Sequence, residues 1–189
     1  MKSAIFPAVL VLALVSTTGP AFAKSPPANK DQASTARQDT KFLEKADQGN
    51  VDEIELAQLA LKKSSNDDVK NFAERMIHDH NMLMDNMKPF ANEAGIQPPS
   101  QPSAATQAEM KKLDALSGEA FDKAYIKAMV QDHSKDLAEF INEAKTTGYP
   151  AFKNAVEQGE QVVRGHLEMA NQIAKKIGVP PAPVPGGGK

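Results

Sequence analysis

Apolar residues recur along this chain at alternating spacings of four and three. One stripe runs Val69, Ala73, Met76, His80, Leu83, Met87, Phe90, Ala94; a second runs Ile126, Val130, His133, Leu137, Phe140, Ala144. A third runs Phe152, Val156, Gly159, Val163, His166, Ala170, Ile173, Ile177. This is the period of a helix that buries a single seam. A weaker stripe upstream, Leu43, Ala46, Asn50, Glu53, Ala57, Ala60, has the same spacing. β-Branched and aromatic residues nowhere alternate over a run long enough to make a strand. The pattern predicts four long helices: Asp39 to Lys63 with a weak point at Gly49-Asn50, Ser65/Asn66 to Gly95, Ser117 to Gly148, and Pro150 to Gly178. Cap residues at the starts, Pro150 in a first turn and glycines at the ends are the expected punctuation.

The connections set the fold class. Very short turns join the first helix to the second and the third to the fourth, which makes each pair an antiparallel hairpin. Between the hairpins lies a Pro-rich stretch from Ile96 to Leu116, with a short helix expected at Thr106–Leu116. A link of that length can run the whole side of a bundle. The expected fold is therefore all-α, a ferritin-like four-helix bundle of two antiparallel hairpins joined by a long crossover containing a short helix. A plain up-down-up-down bundle with a decorated loop is the alternative, and the relative direction of the second and third helices is left open.

Composition then adds limits. A basic Met1-Lys2, an apolar Ile5 to Val15 and a small-x-small Ala21-Phe22-Ala23 read as a cleavable signal peptide over residues 1–23. The expected organisation is a disordered lead-in at 24–38, a bundle domain at 39–178 and a disordered Pro/Gly tail at 179–189. Such a chain is addressed to the periplasm, with no membrane span in its mature part. The absence of cysteine rules out a lipid anchor, disulfide staples and thiolate chemistry. With 22 basic against 24 acidic residues and no Trp, nothing offers a footprint for nucleic acid.

The candidate chemistry sits in the seams. His80, His133 and His166 occupy inward positions with apolar residues above and below, and Glu53 interrupts the seam of the first helix. Each lies near the middle of its helix, so all four meet at one level whichever way the helices run. Buried singly, each would leave polar atoms unsatisfied at a cost of about 1–3 kcal/mol. Together they suit a transition metal such as Zn, Cu or Fe. They equally suit a cofactor-free hydrogen-bond network that fixes helix register, or a core that loosens when its histidines protonate.

The segment Met76-Ile-His-Asp79-His80 returns as Met129-Val-Gln-Asp132-His133. Asp79 and Asp132 lie about 100° round the helix from their histidines. They are candidates to orient the histidines from outside or to link helices. Met76 and Met129 are possible soft ligands, favouring copper, or simply core. His78 points away from the seam, toward solvent.

The segments FLEKADQGNVDEIELAQLALKKS, NFAERMIHDH, FDKAYIKAMVQDH and VVRGHLEMA, in this order, resemble an exported bacterial family known as domain of unknown function 4142, often labelled an outer membrane protein. The resemblance spans about Asp39 to Gly178 and implies a ferritin-like fold, with no activity to carry over. The chain lacks alternating strands for a barrel, so the outer-membrane label fits it poorly. It also departs from di-iron enzymes, because no Glu lies three residues before His80, His133 or His166. A non-catalytic exported bundle, metal-binding or serving envelope stress through a protein partner, is preferred over a metal-dependent redox enzyme.

Overall fold

The computed structural model describes residues 30–187, with side chains from residue 36 onward. The expected signal peptide and the first part of the lead-in lie outside the described residues. Five helices follow in order: α1 (Lys30–Lys63), α2 (Asp67–Ala94), α3 (Ala104–Asp114), α4 (Gly118–Thr146) and α5 (Pro150–Ile177). No strand occurs among the described residues. Gly49-Asn50 does not interrupt α1, because packing along the whole helix outweighs a local propensity cost of about 1 kcal/mol.

The ends form as their sequences require. Asn66 caps α2 by accepting from the backbone N–H groups of Asp68 (3.0 Å) and Val69 (3.4 Å). Gly95, at φ 73°, closes it in the left-handed conformation that favours glycine. Pro150 opens α5 and Gly178 ends it.

The hairpins α1–α2 and α4–α5 pack with α1 beside α4 and α2 beside α5. Early α1 meets late α4, where Thr147 Oγ1 donates to Asp39 Oδ2 at 2.9 Å. Early α2 meets late α5, where Lys176 Nζ donates to Asp68 Oδ2 at 2.7 Å. Both neighbouring pairs are thus antiparallel, and α2 and α4 run parallel across the diagonal. That direction, undecided by the sequence, is the ferritin-like one. The crossover with α3 lies along α1 and α4 and is tied to α1 by a bond from Ser103 N to Asp52 Oδ1 (2.6 Å).

Two stretches expected to be disordered are ordered in part. Helix α1 begins at Lys30, within the expected lead-in. Residues 179–187 dock onto the α4–α5 hairpin instead of trailing free. Val179 is buried, and Ala182 exchanges two hydrogen bonds with the Asn171 side chain (2.8 and 2.9 Å). Ser134 donates to the Pro183 carbonyl and Arg164 to that of Pro185. Proline removes backbone donors but leaves carbonyls, and the helices supply the donors.

The hairpin α4–α5 closes tightly at Gly159, where a Cβ would overlap the Phe140 ring. Phe140 is itself held edge-on against Phe42, 4.9 Å between centroids. Gly159→Ala is expected to lose about 1–2 kcal/mol in urea unfolding, overpacking outweighing the helix-propensity gain.

Candidate metal centre

The four-three spacing turns one residue of each long helix into the core at mid-height, and these are the polar ones. Helix α1 contributes Glu53, α2 His80, α4 His133 and α5 His166, all buried. The ring centroids of His80 lie 6.0 Å from His133 and 5.2 Å from His166, and those of His133 and His166 are 5.4 Å apart. One ring nitrogen of each histidine lies within 4.8 Å of one from each of the other two.

Each ring is fixed from outside the cluster by an acceptor. His80 Nδ1–H donates to Asn50 Oδ1 at 2.9 Å, and His133 Nδ1–H to the Met129 carbonyl at 3.0 Å. His166 Nε2–H donates to Asp79 Oδ2 at 3.0 Å. These bonds set the tautomers and leave the opposite nitrogen of each ring as a bare lone pair. Those opposite atoms, His80 Nε2, His133 Nε2 and His166 Nδ1, are buried and have no hydrogen-bond partner among the described residues.

Glu53 stands beside this trio. Its Oε2 lies 2.9 Å from His80 Nε2 and its Oε1 3.2 Å from His133 Nδ1, neither contact forming a hydrogen bond. At His80 the bare Nε2 lone pair faces a carboxylate oxygen, which is repulsive unless a proton or a metal ion lies between them. The electrostatics follow from burial. Desolvation lowers His80, His133 and His166 from 6.5 to about 4, so all three are neutral at neutral pH. Burial likewise raises the Glu53 carboxyl to about 7, with His133 pulling the other way.

The structure sorts the remaining expectations. Asp79 links α2 to α5 through His166 and also pairs with Arg75. Asp132 does not share that role: it is exposed. On α2 the position one residue before the histidine faces α5, whereas on α4 it turns outward to solvent. His78 is exposed, as its spacing predicts. Met76 and Met129 are fully buried in the apolar core, and Met129 serves the site through its backbone carbonyl. The sequence missed Asn50, read only as a weak point although it stands in the Glu53 stripe, three residues away. It also missed Tyr125, whose buried hydroxyl has no hydrogen-bond partner among the described residues. Phe72 separates that ring from the cluster, with centroids 6.3 Å from Tyr125, His133 and His166.

Two antiparallel hairpins, a crossover and a buried knot of imidazoles define a ferritin-like helical protein with a polar centre at mid-bundle. Residues 24–173 match the model of the domain of unknown function DUF4142, and the chain belongs to that family. No curated protein is matched. Among solved structures the chain is similar to DUF305 from Streptomyces coelicolor, described as a secreted protein. The TM-score is 0.60 at 14% identity, over 81% of this chain and 96% of that one. At this identity the likeness is one of fold. No helix among the described residues is long and apolar enough to cross a membrane.

Proposed function

We propose that this chain is an exported bundle that binds one first-row transition-metal cation, zinc, copper or iron, through His80, His133 and His166, with Glu53 as the adjacent carboxylate donor. The observation that supports this is the set of three bare imidazole nitrogens. Each ring spends its proton on an acceptor outside the cluster, which leaves three buried lone pairs with nothing to accept among the described residues. Left so, each costs on the order of 1–3 kcal/mol, and a single cation satisfies all of them. Imidazole with one carboxylate is a donor set suited to these metals. Outer acceptors such as Asp79 are what a metal-bound histidine uses to hold its ring.

A cofactor-free network has one observation in its favour, since a proton on Glu53 would relieve its contact with His80. It leaves His133 Nε2 and His166 Nδ1 unsatisfied among the described residues. A binding role is preferred to catalysis, because the carboxylate pairs of di-iron chemistry are missing from these helices. Export is supported by the leader-like residues 1–23 and by the secreted description of the DUF305 neighbour.

The test is metal content. Protein isolated from its native compartment is expected to begin at Lys24 and to carry a single equivalent of metal. His80→Ala with His133→Ala is expected to abolish that metal while helicity is retained. Wild-type protein that is isolated metal-free and takes up neither Zn2+, Cu2+ nor Fe2+ on titration would overturn the reading.

A further inference from the structure

The histidine cluster is shut on one side and open on the other. Phe72 closes the side toward Tyr125. On the opposite side a cavity of about 70 Å³ reaches Glu53 and His80. Its inner end holds Glu53, His80 and Asn50, all buried. Its outer end holds Lys45 and Glu139, which form a direct ion pair with side chains 50% and 35% exposed. Asp136 lines the cavity too, one helical turn from Glu139 and one from His133 along α4. Carboxylates therefore succeed one another from the surface to the imidazoles.

Gly49 supplies a second, independent observation. It sits inside α1 and lines the same cavity, and a Cβ placed there meets nothing within 4 Å. A mid-helix glycine costs about 1 kcal/mol relative to alanine. No tight packing demands it here, as Phe140 does at Gly159. The missing side chain leaves the cavity open. The space is large enough to admit a small cation.

We propose that this cavity is the passage by which a divalent cation reaches and leaves the three-histidine centre. Glu139 and Asp136 act as successive carboxylate ligands, and Lys45 is the counter-ion released from Glu139 on arrival. This rests on the metal-binding reading above and adds the route. The passage is a device of rate, since an excess of acidic groups along a cleft draws in a cation and speeds its capture by ~10–10³, with Lys45 yielding Glu139 at the mouth. Its residues set how fast the centre loads, and the histidines set how tightly.

Stopped-flow loading of the apo protein with Co2+, followed by its d–d absorbance, tests the route in wild type, Asp136→Asn and Gly49→Leu. Asp136→Asn is expected to slow association on the order of tenfold and to weaken its salt dependence. Gly49→Leu, which fills the passage, is expected to slow association and dissociation together at constant affinity. If circular dichroism shows that the leucine variant does not fold, Asp136→Asn decides alone. Wild-type loading rates in the folded variants, or a loss of affinity at an unchanged association rate, would overturn the passage and leave the metal centre standing. Failure of the wild type to bind Co2+ at all would overturn both.

Discussion

Zn2+ supplied at about a thousand times its dissociation constant is expected to stabilise the folded protein by about 4 kcal/mol. For a domain of this size that is a rise in Tm of roughly 8–16 °C, at about 2–4 °C per kcal/mol. The size follows from where the donors stand. The imidazoles converge only in the fold, each from a different helix, so the unfolded chain has no comparable site. The rise should vanish in the His80→Ala, His133→Ala double variant. In Asp79→Ala it should shrink by about 1.4–2.8 kcal/mol, the equivalent of a 10–100-fold weaker site. Burial works to raise the Asp79 carboxyl, but hydrogen bonds from Arg75 and His166 win and hold it below its ordinary range. It is thus an anion that both orients the His166 ring and makes it a better donor. Scanning calorimetry with and without Zn2+ measures all three. An equal shift in wild type and double variant would place the ion elsewhere on the protein.

Glu53, His80, His133 and His166 were legible because helical periodicity and helix midpoint are both one-dimensional properties. Spacing tells which side of a helix faces inward, and distance from its ends tells the height. Two hairpins then bring the four residues together whatever their order. The repeated Met-x-x-Asp-His segment marks α2 and α4, which lie parallel on the diagonal, so equal spacing puts His80 and His133 at the same level. What the repeat could not convey is the environment beside the seam. Asp79 and Asp132 are equivalent in sequence, yet only Asp79 finds His166 across an interface, with Arg75 beside it on its own helix. Asn50 stayed hidden because its signal, an amide in a weak apolar stripe, is also that of a kink. The docked end was hidden for a different reason. Its order comes from Asn171, Arg164 and Ser134, whose side chains reach backbone carbonyls far along the chain. Composition alone sees only proline and glycine there. Gly49 likewise reads as a flaw in a helix until three neighbouring helices enclose the space beside it.

Replacing Glu53 by Gln is expected to move stability and metal affinity in opposite directions. Burial raises the Glu53 carboxyl from 4.5 to about 7; His133 lowers it, and Asp132 and Asp52 add to the rise. Between those two values the folded protein holds a proton that the unfolded chain has lost. The stabilising contribution of this group is therefore complete below pH 4.5 and is lost as pH rises through 7. Above pH 7 the wild-type apo protein folds around a buried anion, and the amide variant does not. Without metal, Glu53→Gln should be the more stable protein at pH 8, by up to on the order of 3 kcal/mol, with the advantage fading toward pH 5. The three histidines, lowered to about 4, run the other way, gaining stability as pH rises from about 4 to 6.5. They are present in both proteins, and only His133, which the Glu53 charge raises, differs between them. With a divalent ion in place the sign reverses, because the carboxylate then faces a cation. The variant should bind Zn2+ more weakly and release fewer protons on loading at pH 6, where the wild type must first shed the Glu53 proton. Urea unfolding at pH 5 and pH 8, with calorimetric titration in buffers of different ionisation enthalpy, separates the two effects. A variant less stable than wild type at pH 8 without metal would show that the Glu53 anion is already compensated inside the apo core, leaving it no reason to await a cation.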